Sequence, residues 1–476
     1  MKLTDQPVSI SKPTVAIAGK PTVAIAGAGG YVGRWFIYHF RHKYNIIALS
    51  RKKVKDNPYP EVTWKQVELY SISSTVEVLK GVDVAIYLVH SMNASTRLNQ
   101  GSFEDTDLLL ADNFCRAAHI NNVKQIIYLG GLLPKETVEK LSRHLKSRLE
   151  VEQTLGASSA KLTAIRASII VGPGGSSFDM IKNLVKNLPV LMCPKWTESL
   201  TQPISLRDTL DIIDTCIANT NVFGKAIEIG NPEVISYRKM LVITAEEMGK
   251  KRMVFSIPVF SLGLSKFWVG LFGESPPQLV YPLVESLKHT LTVSEELKFR
   301  EKPINYLPYK ESVREALDSD VEPETPSFYP QEKVKNTVRS IQRMANPQGN
   351  TATWVAHRYN IWLPTFFKFW INGEMLESGE IVFYLLWSKK PMLQLTLIPD
   401  RSEENRQLFY ISGGWLVKRF DHGWLEFRGV LDNKYIISAI HEFVPRLPWL
   451  IYVNTQAKIH LWVMNRFKKY LENRLN

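Results

Sequence analysis

From Thr22 onward, short uninterrupted apolar runs alternate with longer stretches in which apolar positions recur every three or four residues. The runs at 22–26, 46–49, 82–89, 125–129 and 162–171 are rich in β-branched residues, as strands buried on both faces are. Between them, residues 31–42, 105–119 and 141–155 keep helical spacing. This alternation predicts an α/β fold built on a doubly wound parallel sheet. From about Ser205 to Leu317 the pattern turns helix-rich, with short strands such as 226–229, and reads as a substrate-side subdomain.

The rhythm then changes. Residues 318–331 (DSDVEPETPSFYPQ) place three prolines and four acids in a short polar stretch, so a linker without regular structure is expected. Beyond it, 381–387, 392–398, 407–411, 415–420, 423–430 and 434–442 read as consecutive short strands, followed by one long helix over 451–474. The run 338–344 fits a helix or a strand. These elements predict a C-terminal α+β antiparallel domain of helix-grip type. The expected division is an N-terminal extension at 1–20, a nucleotide domain at 21–204, the subdomain at 205–317, the linker at 318–331 and the C-terminal domain at 332–476. The extension holds a curiosity: KPTVAIAG at 12–19 recurs unchanged at 20–27, and only the second copy leads into a glycine turn and helix.

A chain of 476 residues, 45% hydrophobic, can bury more than one core. Its three cysteines, Cys115, Cys193 and Cys216, are too scattered for a disulfide framework or a zinc cluster, and a reducing, cytoplasmic compartment fits. The apolar stretch 13–32 is interrupted by Lys20 and by glycines, so a first strand and its turn explain it better than a cleaved leader. The segment 253–273 contains Pro258 and Lys266 and is not expected to span a bilayer. Net charge is +13. That suits an anionic partner such as a phosphorylated cofactor or acidic lipid, or simply a basic surface; the basic residues are spread along the chain, and no nucleic acid is expected. Neither a metal-binding His-Glu-x-x-His, a Walker loop nor a Gly-x-Ser-x-Gly elbow occurs, and no metal site is expected.

The sharpest local signal is Gly27-Ala28-Gly29-Gly30-Tyr31-Val32-Gly33, placed between a strand and a helix. Such a turn lets backbone approach a pyrophosphate while the helix N-terminus offers free N–H groups, which predicts a Rossmann dinucleotide site. At the tip of the second strand stand Ser50, Arg51 and Lys52 instead of the carboxylate that holds the ribose hydroxyls of NAD. A serine with neighbouring cations suits a 2′-phosphate, so the expected cofactor is NADP(H). With Lys53 and Lys55 nearby, a merely solvated basic turn is the plain alternative. Leu88, Val89 and His90, leaving the fourth strand, and Gly130, after the fifth, complete the expected cofactor side.

Several motifs together then carry a family resemblance. Tyr87-Leu88-Val89-His90-Ser91-Met92, Tyr128-Leu129-Gly130-Gly131-Leu132, the stretch from His144 to Glu152, Ile165-Arg166-Ala167 with Gly172, Ser177 and Phe178, Leu188-Pro189-Val190 and Gln202-Pro203-Ile204 resemble the YbjT-like atypical short-chain dehydrogenases/reductases. Gly423-Trp424-Leu425-Glu426-Phe427-Arg428 resembles that family's appended C-terminal domain of unknown function. More distantly, the chain is similar to NmrA-like regulators and to the NADPH-binding accessory subunit of respiratory complex I. The resemblance implies dinucleotide binding without clear turnover.

Reductases of the wider superfamily use a Tyr-x-x-x-Lys pair and a serine. Here His144 and Arg148 occupy the Tyr and Lys spacing, and Gly130 and Gly131 stand where the serine would be. His90 or His144 could still exchange protons, with Arg148 orienting a phosphate or an oxyanion. Ser91 is a weaker candidate, and Asp179 and Asp208 read as helix-cap or loop residues. Two functions stay open: a redox sensor, regulator or assembly factor without turnover, and an NADPH-dependent oxidoreductase acting on a lipophilic carbonyl or quinone-like substrate. The dense C-terminal aromatics (Trp354, Trp362, Trp370, Trp387, Trp415, Trp424, Trp449, Tyr452, Trp462) serve a core or line a cavity for a hydrophobic small-molecule ligand. On the last helix Ile459, Val463, Phe467, Tyr470 and Leu471 share a face, while Lys458, Arg466, Lys468, Lys469 and Arg474 lie largely elsewhere. Such a helix packs on a sheet or rests weakly on an anionic membrane surface.

Overall fold

A computed structural model describes residues 19–90, 97–257, 283–330, 337–367, 370–376, 380–385, 388–418 and 423–473. Residues 12–18 of the first octapeptide copy, Ser91, Trp387, the apolar stretch 258–273 and Arg474 lie outside the described residues. The chain opens with β1 (Thr22–Ala26), α1 (Tyr31–Phe40), β2 (Asn45–Ser50), β3 (Thr63–Gln66), β4 (Val84–Tyr87) and a short β5 (Leu98–Gln100). Then come α2 (Phe103–Ile120), β6 (Gln125–Gly131), α3 (Arg143–Gly156), β7 (Lys161–Ala167), α4 (Ser176–Asn187), α5 (Leu206–Cys216), β8 (Lys225–Ile229) and α6 (Tyr237–Glu247). Seven of these strands form one parallel sheet in the order β8-β7-β6-β4-β1-β2-β3.

The strand order follows from burial on both faces. Val23, Ile25, Ile86, Ile127 and Ile165 pack toward Phe36 of α1 and Ile213 of α5, while Ala24, Ala26, Tyr87, Ile126 and Tyr128 pack toward Leu108, Leu109 and Phe114 of α2. The order reverses between β1 and β4, which puts the ligand crevice at their C-terminal ends. Ser102, Ser142 and Ser205 each accept an N–H of the first turn of α2, α3 and α5. Asp208 instead accepts the Leu307 N–H, and Asp179 pairs with Lys182.

The C-terminal part holds β9 (Val338–Ala345), α7 (Ala352–Phe366), β10 (Ile371–Met375), β11 (Glu380–Leu385), β12 (Pro391–Leu397), β13 (Arg406–Gly413), β14 (Trp424–Val430), β15 (Tyr435–Phe443) and, after a short helix at Trp449–Asn454, α8 (Gln456–Glu472). Its sheet runs β10-β11-β12-β13-β14-β15-β9-β5. The ambiguous 338–344 run is therefore a strand, pairing antiparallel with β15. The strand expected at 415–420 is, over its described residues, a turn: Gly414 sits at φ +112°, where the chain leaves β13. The long last helix breaks at Thr455 (φ −123°, ψ −87°). Its inner face is Ala457, Val463, Met464, Phe467 and Leu471, packed with α7 on one side of the sheet; Ile459 points outward instead. Among the described residues no helix is long and apolar enough to cross a membrane.

The other side of this sheet rests on α2 and α3. Ile341, Val430, Ile437 and Ala439 join the core formed by Leu108, Phe114 and Val151. Around that apolar contact, Arg343 binds Asp105 at 2.6 Å and Glu150 at 2.9 Å. Arg428, fully buried, binds Asp112 at 2.7 Å, Asn113 at 2.6 Å and Glu426 at 2.9 Å. Burial alone would raise the Glu426 carboxyl, but Arg428, Arg406 and His441 outweigh it and hold it well below the carboxylate range. The antiparallel sheet also captures β5 as its edge strand, parallel to β9.

The 318–331 segment is not free of regular structure. Ser327–Phe328 pairs antiparallel with Val54–Asp56, Tyr329 donates to the Lys53 carbonyl, and Glu322 lies 3.7 Å from Arg34. Backbone groups that proline leaves available are satisfied by this pairing, so the segment lies across the edge of the first sheet.

Removing one member of a buried ion network strands the rest. Arg428→Ala is expected to lower unfolding free energy by about 3–5 kcal/mol, read as a lower denaturant midpoint; a shift below about 1 kcal/mol would contradict the role given to this network.

Candidate functional site

The glycine turn is built for close approach. Gly27 has φ +90°, and a Cβ there would meet the Leu88 carbonyl oxygen at 2.9 Å; at Gly33 it would meet the Gly27 oxygen at 2.5 Å. Gly30 starts α1, which has no side-chain cap and no acid in its first turn, so its positive end is left for an anion. Gly29 has open space around it. Tyr31 lies across Gly172 and Gly175, where a Cβ would leave it no room, and burial together with Asp179 drives its phenol pKa upward.

At the tip of β2, Ser50 Oγ accepts the Lys52 N–H at 3.1 Å, and Gln66 donates to the Arg51 carbonyl at 3.2 Å. This keeps the turn compact while the Arg51 and Lys52 side chains are exposed. Lys52 Nζ stands 5.9 Å from the Phe328 ring centroid, so the segment after the subdomain borders this basic tip.

A cavity of about 440 Å³ opens on the glycine turn. Its wall includes Gly27, Gly30, Tyr31, Val32, Gly33, Leu88, His90, Gly130, His144 and Arg148, and it runs on past Ser168, Met180, Trp196, Thr197, Tyr237, Leu287 and Leu291. Most of this wall is apolar. Val89 contributes through its backbone, accepting from Arg148 Nη1 at 3.4 Å, and Arg148 Nη2 donates to the Leu129 carbonyl at 3.2 Å. Thus at least two N–H groups of Arg148 serve the strand ends, and its guanidinium lies 5.0 Å from the Tyr128 centroid.

His90 and His144 stack with centroids 5.1 Å apart and planes at 19°. His90 Nδ1 is 3.0 Å from Asp107 Oδ2. Burial and Arg148 lower the His90 pKa against the pull of Asp107; burial, His90 and Arg148 press His144 down to about 3. Both rings are therefore neutral at pH 7, and an imidazole with a pKa of about 3 is a poor proton donor or acceptor there. Asp107 and the distant lining residues from Ser168 to Leu291 escaped the sequence reading; an acid inside a helix carries no motif, and the lining residues share none. Among the described residues no group of three or more His, Cys, Asp or Glu side chains could hold a metal ion.

The residues fit a dinucleotide: the turn has no room for Cβ atoms where backbone must come close, and the cavity continues beyond it. The N-terminal part of the chain is a Rossmann-type parallel sheet with helices on both faces, and an antiparallel C-terminal domain is appended. Residues 23–143 match the NAD dependent epimerase/dehydratase family. Over 138 residues, 28% of the chain, it is 33% identical to the auxiliary protein GraX of Staphylococcus aureus, and it spans only 41% of that relative's length. Among solved structures it is similar to a nucleoside-diphosphate-sugar epimerase of Staphylococcus aureus (17% identity, 62% of this chain, 99% of that chain, TM-score 0.48). It is also similar to the Citrobacter sp. triphenylmethane reductase complexed with NADP(H) (16% identity, 62% of this chain, 100% of that chain, TM-score 0.47).

Gly33→Val places a branched side chain against the Gly27 and Ala28 backbone and is expected to weaken dinucleotide binding by roughly 100-fold through displacement of the turn. Gly29→Ala, in open space, should leave it within about twofold. Calorimetric titration with NADPH and NADH reads both; equal affinities for the two variants would place the pyrophosphate elsewhere.

Proposed function

We propose that this chain binds NADP(H) and acts as a redox-responsive regulator or assembly factor, without general reductase turnover, by coupling the dinucleotide to an apolar ligand in the adjoining cavity. The carrying observation is the polar equipment at the cofactor's end of that cavity: two imidazoles held neutral, with glycines where the superfamily's serine would stand. When bound, the dinucleotide would supply or accept a hydride; Gly27, Gly30 and Gly33 would carry its phosphates, and Leu88, Val89, His90 and Gly130 its nicotinamide side. The designation of GraX as an auxiliary protein agrees with this reading. A second reading, NADPH-dependent reduction of a lipophilic carbonyl or quinone-like compound assisted by His90 or His144, is favoured by the direct opening of the cavity onto the turn. NADPH oxidation over a panel of quinones and aldehydes separates the two: the first reading expects tight binding without consumption, and steady turnover lost in His90→Ala would favour the second.

Preference for NADP(H) rests on Ser50, Arg51 and Lys52 at an acid-free strand tip. Arg51→Asp removes a charge-assisted pair and is expected to cost at least ~1.5 kcal/mol of NADPH affinity while sparing NADH. Unchanged selectivity would return this turn to an ordinary basic surface.

For location we propose the cytoplasmic side, with weak reversible attachment to anionic lipid. The support is a set of exposed apolar side chains, Leu450 (78% exposed) and Ile451 on the short helix and Ile459 and Trp462 on α8. Phe366 of α7 adjoins Trp462 at 5.3 Å, and exposed Lys458, Arg466 and Lys469 lie on α8. Flotation with anionic vesicles at low salt, lost at high salt and in Trp462→Glu, is the expected result; protein that never floats would overturn it.

A further inference from the structure

The apolar cavity turns polar where it meets the dinucleotide turn, at the stacked rings of His90 and His144. Stacking uses ring faces, so nitrogen edges are what a ligand can address. One edge of His90 is already committed, because Nδ1 lies 3.0 Å from Oδ2 of Asp107, whose side chain is 2% exposed on α2. Arg148, 7% exposed, places Nη1 3.9 Å from that same oxygen. A guanidinium does not shed its charge, so a buried one requires an ionised partner, and Asp107 is in place to be it. An ionised carboxylate can only accept a hydrogen bond. The proton of His90 therefore sits on Nδ1, leaving a lone pair on Nε2. That Nε2 is buried with no hydrogen-bond partner among the described residues, and the same is true of His144 Nδ1.

We infer that Asp107 is a positioning residue that fixes His90 as a hydrogen-bond acceptor, so that the cavity selects apolar molecules bearing a hydroxyl over their ether or ketone counterparts. The inference rests on the reading of the cavity as a ligand site. A hydroxyl donates to His90 Nε2, and with the His144 proton on Nδ1 its oxygen accepts from that N–H, which brings one donor and one acceptor to the pair. An ether or ketone oxygen satisfies only His144 and sets its own lone pairs against that of His90. Leaving a buried acceptor unpaired corresponds to a loss of roughly tenfold to hundredfold in affinity.

The test uses the full-length chain, with and without saturating NADP⁺, titrated calorimetrically with 2-naphthol and 2-methoxynaphthalene. The expected result is at least a roughly tenfold preference for the naphthol. In Asp107→Asn the side-chain amide can offer an N–H to His90 Nδ1 and move the ring proton to Nε2, so the preference should vanish or invert. Nitrogen-15 spectra of histidine-labelled protein read the tautomer directly, and the wild-type spectrum needs no variant to fold: His90 should show N–H at Nδ1, shifting to Nε2 in Asp107→Asn. Equal affinities in the wild type, a wild-type proton on Nε2, or a preference that survives in Asp107→Asn would each overturn the inference. If NADP⁺ binds and neither probe does, the inference falls together with the ligand-cavity part of the proposed function. If the naphthol preference appears without any dinucleotide affinity, the inference stands and the cofactor reading falls.

Discussion

Helix α2 is the member on which the rest of the structure depends, because it is buried from two directions at once. Leu108, Leu109 and Phe114 belong to the core of the parallel sheet, and the antiparallel sheet adds Ile341, Val430, Ile437 and Ala439 to that same core. A helix so enclosed has no solvent side on which to carry its polar residues. Its acids are accordingly matched: Asp105 of the first turn to Arg343, Asp107 to His90 and Arg148, Asp112 to Arg428 and Arg116. Burying these charges unpaired would cost an amount comparable to a single domain's stability, so sheet, helix and site are held in one arrangement.

This gives the C-terminal domain a physical connection to the cavity at the glycine turn. The pairs made by Asp105 and Asp112 face the antiparallel sheet, while Asp107 faces the histidines at the cavity wall. The strand Leu98–Gln100 strengthens the connection by leaving the first half of the chain to pair with β9 in the second. Across the other edge, the proline-rich acidic segment pairs beside the basic tip of β2. The chain is thus tied together at two places by strand pairing, more closely than the composition of a linker suggests.

Much of the nucleotide domain was legible in the residues. The apolar runs and the glycine turn carry their own local physics: a buried parallel strand must be apolar on both faces, and a Cβ at Gly27 or Gly33 would collide with backbone. The alternation of β14 and β15 was equally plain, since Leu425 and Phe427 face one side while Glu426 and Arg428 face the other. What misled was local composition. Prolines and acids at 318–331 read as an unstructured tether, yet a two-residue strand pairing needs little regular sequence. The aromatic stretch containing α7 concealed a helix because Pro364 and bulky rings obscure its period.

By itself, the sequence determined the sheet of the nucleotide domain, its glycine turn and the placing of His144 and Arg148 at a Tyr-x-x-x-Lys spacing, because each depends on residues close together along the chain. The tertiary structure alone decided that Asp107 meets His90, that His144 stacks on it, and that residues from Ser168 to Leu291 close an apolar cavity around them. It also decided the state of those rings. An imidazole with an ordinary pKa near 6.5 keeps a charged fraction at neutral pH; burial and the Arg148 guanidinium remove that fraction here, and neither influence is visible until the chain has folded.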